Sequence, residues 1–453
     1  MQKKNAMSFS TTHIIMLDFL LVIAIGTLLL WLPISHAEGQ YVSFIDALFT
    51  ATTSVCVTGL VTLTTFSTWS IFGQVVILLL IQIGGLGFIT IAAGILISLH
   101  KKMNMKSRML IQDAFNLNSL SGIVKFTRNV IRGTFIVEGI GALMYMTVFV
   151  PEYGAKGIWI SVFTSISAFC NAGIDIIASD SLCGYVTNPI INFTTCFLII
   201  AGGIGFVVWW DVVNAFKKIK QKGIRAFREF SLHSKIALSA TAVLIVSGWI
   251  LFFIFEYSNP LTIADFSLGD KLMASLFQSV TTRTAGFATI PQENFSNASS
   301  IISLLLMFIG GSPAGTAGGI KTVTVAVVFA SAFATIRHHK DVTLFGRTVT
   351  KEAIGKAASV MCMSFVIMFI STVLLAAVTE ADMLSVIYET VSATATVGLT
   401  RNLTGSLDMW GKLIIIVTMY LGRVGPISLA VAFSTQKEKQ NVIKCPAEDI
   451  SVG

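Results

Sequence analysis

The chain has 453 residues, of which 54% are hydrophobic and only 12% are charged, and its mean hydropathy is +0.80. Soluble globular chains carry roughly 25% charged residues, so this composition excludes a soluble protein and indicates a polytopic membrane protein. The net charge of +8 does not indicate nucleic-acid binding, because the basic residues lie at the termini and in alternate connections between apolar segments.

Eight apolar segments are long enough to cross the roughly 30 Å hydrocarbon core of a bilayer at about 1.5 Å per helical residue. They cover residues 14–32, 71–99, 134–150, 190–216, 236–255, 300–336, 354–378 and 410–433. Four shorter apolar segments cannot span and are predicted to re-enter, at residues 42–53, 158–168, 271–280 and 383–393. Residues 14–32 lack a small-residue cleavage site, so we expect a retained helix rather than a signal peptide.

The long and short segments follow one order that occurs four times. The sequence therefore predicts an all-α polytopic membrane protein: four helix–re-entrant loop–helix repeats around a pseudo-fourfold pore, with eight transmembrane helices. We place the repeats at residues 1–100, 101–220, 221–340 and 341–435, with a broken last helix in the third and a cytoplasmic C-terminal tail at 436–453. Lys and Arg concentrate between repeats and at the chain ends, so the positive-inside rule predicts a multi-pass plasma-membrane protein with both termini in the cytoplasm.

Two basic stretches, at residues 101–132 and 217–235, are candidate contact surfaces for a cytoplasmic partner or for anionic membrane lipids. Ordinary topogenic charge is the alternative explanation for any one of their lysines.

One glycine-containing motif follows each re-entrant segment, and its glycines are separated by 114, 113 and 112 residues. Non-helical backbone at membrane depth is tolerated where it is buried in protein or lines a wet cavity. Loop carbonyls can replace the hydration shell of a cation, and a helix that enters from outside points its partly negative C-terminal end at the membrane centre. The motifs therefore predict an ion selectivity filter for a cation, with tight helix packing as the alternative. The candidate filter residues are Val57, Thr58, Gly59, Asn171, Ala172, Gly173, Thr284, Ala285, Gly286, Thr396, Val397 and Gly398.

A glycine-rich break interrupts the last long segment of the third repeat. Its glycines and its proline do not propagate a stable helix, so we predict a mobile intramembrane loop that acts as a gate beneath the filter. A kinked, packed helix is the alternative, and we expect the matching segments of the other repeats to be less interrupted. The candidate gate residues are Gly310, Gly311, Ser312, Pro313, Ala314, Gly315, Thr316, Ala317, Gly318, Gly319, Lys321 and Arg423.

Charged residues within the apolar segments are costly and usually functional. Arg423 is predicted to act as an electrostatic barrier below the filter or to anchor the carbonyls of the loop, and an ion pair with Glu138 is the structural alternative. Arg283 lies one residue before the third filter triplet. We predict that it braces the filter from behind, because a positive charge in the path would block cations.

With these motifs, the chain resembles the superfamily of potassium transporters that includes the Trk, Ktr and plant HKT proteins. The resemblance rests on the four filter triplets and extends over essentially the whole chain. Eight spans without an additional N-terminal pair look like the membrane subunit of the Ktr system.

The resemblance implies that the four glycines form a filter whose carbonyls hold K+, and Gly59 implies a preference for potassium, since sodium-preferring members often have serine there. It also implies an intramembrane gating loop, a homodimer with one pore per protomer, and a cytoplasmic nucleotide-binding regulatory ring of KtrA-like, Rossmann-like domains. Sodium dependence stays open.

Nothing in the sequence indicates an enzyme or a covalent cofactor. It contains no phosphate-binding GxxxxGK[ST] motif, and its six cysteines show neither metal spacing nor a disulfide framework. Two other functions stay open: an alternating-access carrier that couples potassium to sodium or protons, in which Glu138 would be a coupling group, and a membrane scaffold whose loops only pack.

Overall fold

The computed structural model describes residues 11–98, 105–114, 122–223 and 228–425. The predicted tail at residues 436–453 and parts of both basic stretches lie outside the described residues.

The described helices follow a common order in four stretches of the chain: a long apolar helix, a shorter helix that ends in a buried loop, and a further apolar helix. Residues 11–114 form α1 (Thr11–Trp31), α2 (Phe44–Cys56), the single turn α3 (Thr65–Thr68), α4 (Ile71–Leu86), α5 (Phe88–Ser98) and α6 (Met105–Ala114). Residues 123–222 form α7 (Ile123–Tyr153), α8 (Ala155–Cys170), α9 (Pro189–Gly203) and α10 (Phe206–Lys222). Residues 232–336 form α11 (Leu232–Glu256), α12 (Leu268–Thr281), α13 (Asn297–Phe308) and α14 (Thr322–Ile336). A hairpin of β1 (Thr343–Leu344) and β2 (Arg347–Thr348) then precedes α15 (Lys351–Val378), α16 (Met383–Ala395) and α17 (Met409–Val424).

Polar N-caps explain where many of these helices begin. Ser43, Ser267 and Asp382 each accept a hydrogen bond from a first-turn N–H of α2, α12 and α16, respectively. Such a cap satisfies one of the N–H groups that a helix start leaves unpaired. The short helices α2, α12 and α16 therefore start at defined positions.

The helices α1, α7, α11 and α15 are long and apolar enough to cross a membrane, and α9 with α10 is a fifth candidate that bends by 102°. The remaining apolar helices of the described residues are shorter, so their length alone does not identify them as spans. Large apolar side chains such as Leu17, Leu143 and Phe369 are exposed on the long helices. This exposure fits a surface that faces lipid.

Two helices that the sequence predicted as continuous are divided by glycine. Over residues 71–98, α4 and α5 lie on either side of Gly87 (φ +82°), and over residues 190–216, α9 and α10 lie on either side of a break that contains Gly205 (φ +93°). The predictions of one continuous helix over 71–99 and over 190–216 are therefore wrong. Both breaks are shorter than the one between Phe308 and Thr322, as expected. Glycine adopts positive φ without steric cost, and the freed Phe206 N–H donates to the Ala314 carbonyl (2.8 Å).

The predicted break in the third repeat is confirmed. The chain leaves the helix after Phe308 and re-enters one at Thr322, and the two ends of the intervening loop pair with each other through Ile309 and Ile320. In the last repeat, α17 ends at Val424 and Gly425 has φ +86°. The predicted continuation to residue 433 lies outside the described residues.

The four short helices α2, α8, α12 and α16 connect successive stretches of the chain. Each contacts the long helix that precedes it and an apolar helix of the preceding stretch, in the pairs α4 with α8, α9 with α12, α13 with α16, and α17 with α2. The last pair joins the end of the described chain to its beginning, so the arrangement closes on itself.

Candidate functional site

The four motif glycines form a closed ring at the centre of the molecule. A Cβ atom on Gly59 would lie 3.3 Å from the Cα atoms of both Gly173 and Gly398, and one on Gly286 would lie 3.1 Å and 3.3 Å from the same two atoms. Every glycine thus lies against its two neighbours in chain order, with the fourth against the first.

Each ring glycine also faces the carbonyl oxygen of the middle residue of another triplet. A Cβ atom would meet that oxygen at 2.5 Å or less. The pairs are Gly59 with Ala172, Gly173 with Ala285, Gly286 with Val397, and Gly398 with Thr58. Real Cβ atoms do not approach so closely, so these positions exclude any side chain. Four carbonyl groups therefore surround the ring, and such groups can replace water around a cation.

The backbone before each glycine has a second unusual conformation. Val57, Asn171, Thr284 and Thr396 have φ values of 54°, 59°, 65° and 49°. Positive φ is uncommon outside glycine and is a genuine outlier for β-branched residues. In three loops the next N–H donates back to the short helix at 2.8 Å, whereas in the third Ala285 N–H donates to Thr281 at 3.0 Å. Such strain persists where the surrounding structure enforces it, and it clusters at functional sites.

A hydroxyl group near the end of each short helix bonds the loop that follows it. The Thr53 and Ser392 hydroxyls accept the N–H groups of Gly59 and Gly398, both at 3.0 Å. Ser167 accepts from Ile174 N–H (3.1 Å) and donates to its carbonyl (2.6 Å). Thr281 donates to the Phe287 carbonyl at 2.6 Å. These residues were not among the predicted filter residues, although they occur at a similar spacing before the ring glycines: six positions for Thr53, Ser167 and Ser392, and five for Thr281.

A cavity of about 350 Å³ lies on one side of the ring and is lined by all four glycines. Three carboxylate residues, Asp175, Asp180 and Glu293, also line it. Burial raises the pKa of Asp175 to about 6, and hydrogen bonds from Ser181 and from backbone N–H groups oppose this shift. These carboxylates give the cavity an acidic lining. Sequence reasoning missed Asp175 because it considered the triplets without the residues that follow them.

Polar side-chain atoms within the triplets are buried without a partner. The Thr58 and Thr396 hydroxyls and both polar side-chain atoms of Asn171 form no hydrogen bond within the described part of the chain. Buried polar groups are usually satisfied. Unpaired oxygen atoms next to a ring of carbonyls fit a place where a partly dehydrated cation passes.

The loop between α13 and α14 lies directly against two of the triplets. Gly318 N–H donates to the Thr284 hydroxyl (3.0 Å), and a Cβ atom on Gly318 would collide with the Thr396 hydroxyl. The predicted gate residues therefore contact the predicted filter residues of two different repeats. A side chain at position 318 would force the loop away from the ring.

The middle of the loop is attached to the second repeat. Ser312 N–H and Thr316 N–H donate to the carbonyls of Gly203 (2.8 Å) and Gly202 (3.1 Å) at the end of α9. The Thr316 hydroxyl donates to the Phe169 carbonyl at 3.0 Å. The break between α9 and α10 thus supplies carbonyls that a continuous helix would have used internally.

Arg423 bonds the loop to the first repeat. Its guanidinium donates to the Thr316 carbonyl (2.8 Å) and to the Gly84 carbonyl (2.5 Å). Glu138 instead accepts from Gln82 (3.1 Å), and it forms no ion pair with Arg423 in the described residues. The alternative of an Arg423–Glu138 ion pair is therefore wrong, and the geometry is that of an anchor for loop carbonyls. Lys321 donates to the Ala317 carbonyl (2.5 Å) within the loop itself.

Arg283 is buried, and it does not line the 350 Å³ cavity. Its guanidinium donates long hydrogen bonds to the Thr241 hydroxyl and the Gly310 carbonyl, both at 3.4 Å. Arg283 therefore lies behind the third filter loop and contacts the start of the loop between α13 and α14, as expected for a residue that supports the filter from behind. Among the described residues, no group of three or more His, Cys, Asp or Glu side chains is placed to hold a metal ion.

Both the sequence and the fold are similar to those of known cation transport proteins. The family model TrkH, described as a cation transport protein, matches residues 2–444. The Ktr system potassium uptake protein B of Bacillus subtilis is 40% identical over 446 residues, which cover 98% of this chain and 97% of that protein. The potassium/sodium uptake protein NtpJ of Enterococcus hirae is 37% identical, with coverage of 100% and 99%. The crystal structure of the potassium transporter TrkH from Vibrio parahaemolyticus has a TM-score of 0.74 and covers 96% of this chain and 87% of its own, at 17% identity, which shows the fold alone.

Proposed function

The chain belongs to the TrkH family of cation transport proteins, and we propose that it takes up potassium across the plasma membrane through the ring of Gly59, Gly173, Gly286 and Gly398. The family and the similar proteins are transporters, not enzymes. Relatives that share 37% and 40% of the sequence over nearly its whole length are named potassium uptake proteins. The observation that supports this proposal most strongly is the closed ring, in which each glycine position faces a carbonyl oxygen.

The filter consists of the four triplets, with K+ as the transported ion at their carbonyls. Its outer entrance is the cavity lined by Asp175, Asp180 and Glu293, since carboxylates concentrate cations in front of the ring. The C-terminal ends of α2, α8, α12 and α16 lead into the four loops, and their partial negative charge adds to this attraction.

The gate is the loop between α13 and α14. Its contacts with Thr284, Thr396 and Arg423 support a closed position beneath the ring. Opening requires Thr316 to exchange its bonds with Arg423 and Gly202 for bonds with water.

The architecture consists of eight spans in the four predicted repeats, 1–100, 101–220, 221–340 and 341–435, with both termini in the cytoplasm. The fourfold helix order and the closed packing from α4 with α8 through α17 with α2 support this arrangement. The distribution of Lys and Arg supports the orientation.

The functional assembly is a homodimer with one pore per protomer and a cytoplasmic nucleotide-binding regulatory ring. The name of the B. subtilis relative, which refers to a Ktr system, supports a further component. The name of the E. hirae relative includes sodium, which supports sodium as a second ion for this chain.

A flux assay tests the proposal. The full chain is reconstituted alone into potassium-loaded vesicles, and uptake of tracer 86Rb+ is followed with and without a sodium gradient. We expect uptake without sodium that far exceeds that of empty vesicles, and we expect Gly286→Ser to lower this uptake. Gly405→Ser is the matched control, because a side chain at that exposed glycine meets nothing within 4 Å.

Two other outcomes would replace the proposal. Slow turnover that requires a sodium or proton gradient would identify an alternating-access carrier. No flux from correctly inserted protein, alone or with a regulatory partner, would leave the scaffold alternative.

A further inference from the structure

A basic cavity lies between α6 and the start of α7, and it shares no lining residue with the cavity at the ring. Its volume is about 610 Å³, and it is lined by four cationic side chains: Arg108 from α6 and Lys125, Arg128 and Arg132 from α7. No carboxylate is among the described residues that line it. None of the four cations forms an ion pair within residues 105–114, 122–223 and 228–425. Four positive charges without an ion-pair partner among the described residues favour an anion that several of them can bond at once.

The start of α7 adds further donors to the same cavity. Gly122, the N-cap residue, lines the cavity together with Ile123 and Val124, and it supplies no side-chain cap. The first N–H groups of a helix have no partner within the helix, and their partial positive charge favours phosphate. The helix has 31 residues, so these groups belong to a long, stable element.

The cationic side chains continue into an apolar surface. Lys125, Arg128 and Arg132 follow helical spacing along one side of α7 and extend over roughly 10 Å. The next residues on that side, Phe135 and Leu143, are apolar and are 60% and 65% exposed. This apolar surface fits contact with the bilayer, so a lipid whose headgroup occupies the cavity has its acyl chains directly beside Phe135 and Leu143.

We propose that the cavity binds the phosphate headgroup of an anionic phospholipid in the cytoplasmic leaflet, with its acyl chains along Phe135 and Leu143. Arg108, Lys125 and Arg128 hold the phosphate, and Arg132 bonds the glycerol-side oxygens nearer the hydrocarbon. The location in the cytoplasmic leaflet rests on the proposed orientation of the chain, whereas the binding itself does not rest on ion transport.

The test is a lipid titration of the purified full chain in detergent, with the midpoint of thermal unfolding as the readout. Dioleoylphosphatidylglycerol is compared with dioleoylphosphatidylcholine and with free glycerol 3-phosphate. We expect phosphatidylglycerol alone to raise the midpoint at low concentration. In the K125Q/R128Q variant, we expect the half-maximal phosphatidylglycerol concentration to rise roughly tenfold or more, because each cation near an anionic headgroup contributes substantially.

Two matched variants distinguish lipid binding at this cavity from a general effect of positive charge on the protein. K351Q/K356Q removes two exposed cations at the start of another long helix, α15, and should titrate like the unmodified chain. K125R/R128K keeps both charges and should retain the response, which covers the case in which K125Q/R128Q does not fold.

Three results would overturn the proposal. Equal protection by glycerol 3-phosphate would assign the cavity to a soluble anion. An unchanged titration in K125Q/R128Q would remove these residues from the site. A loss of transport in that variant with an unchanged lipid titration would assign the surface to a protein partner. Since the readout is unfolding, absent potassium flux would contradict the proposed function without affecting this result.

Discussion

At the level of single residues, the ring depends on positions where a side chain has no room. Gly59 has φ +99°, and a Cβ atom there would lie 2.5 Å from the Ala172 carbonyl oxygen. The positive φ and the close carbonyl oxygen both restrict this position. A substitution therefore strains the backbone of residue 59 and displaces a carbonyl of the neighbouring loop.

Gly59→Ser should therefore lower the preference for potassium over sodium. Strain of this kind costs about 1–3 kcal/mol, so we expect a loss of discrimination of roughly tenfold. Competition between K+ and Na+ for 86Rb+ uptake measures it, with Gly405→Ser as the control. Unchanged competition would show that the ring does not select the ion.

The hydroxyl groups that bond the filter loops predict a second effect on selectivity. Thr53→Val removes the acceptor for the buried Gly59 N–H, and an unsatisfied buried donor costs about 1–3 kcal/mol. We expect normal insertion with several-fold weaker discrimination in the same competition assay. Thr52→Val is the matched control, because Thr52 bonds only the Leu48 carbonyl within its own helix (2.8 Å). Equal effects of the two substitutions would refute a bracing function for Thr53.

Arg423→Ala should raise basal potassium flux. The side chain connects the carbonyls of Thr316 and Gly84, so its removal frees the loop and also deletes a buried positive charge below the ring. Arg423→Lys keeps the charge but cannot bond both carbonyls in the same fork geometry. High flux in the lysine variant would assign the effect to the lost anchor, and flux at the unmodified level in both variants would contradict the gate.

At the level of elements, the loop between α13 and α14 is held in place by hydrogen bonds to other repeats. Deletion of residues 314–318 removes the segment that contacts Thr284, Thr396 and Arg423. We expect several-fold higher flux in reconstituted vesicles. Lower flux from protein that inserts and elutes normally would mean that the loop supports the ring instead of closing it.

The elements also show what the sequence could predict. The glycine spacing of 114, 113 and 112 residues predicted four equivalent loops, and the proline and glycines after Phe308 predicted the break. The division of α9 from α10 was missed, because glycine is compatible with a packed transmembrane helix and hydropathy does not register a bend. Likewise, the choice of Arg423 between carbonyls and Glu138 depends on a three-dimensional arrangement that no local pattern contains.

At the level of the whole molecule, the first and last stretches are joined by an ion pair. Lys412 Nζ lies 2.7 Å from Asp46 Oδ1, and the side chains are only 16% and 13% exposed. Asp46 also accepts from Thr62 (2.9 Å), so this carboxylate connects α17, α2 and the loop that follows α2.

Asp46→Asn should therefore destabilise the closed arrangement by about 1–3 kcal/mol, the usual effect of leaving a buried partner unsatisfied. A lower midpoint of thermal unfolding in detergent measures it. Lys218→Gln removes a partner of an exposed ion pair (2.9 Å, with side chains 50% and 40% exposed) and should have little effect. Equal shifts for both variants would show that closure does not depend on Asp46.

The ring of Gly59, Gly173, Gly286 and Gly398 is drawn from one polypeptide rather than from four identical subunits. In a symmetric tetramer, one substitution changes all four equivalent positions, whereas a substitution in this chain changes one of the four positions of the ring. Natural variation can therefore adjust one side of the opening by small steps while the other three keep their geometry. Each of the four positions can therefore change independently of the others, which the four identical positions of a homotetramer cannot do.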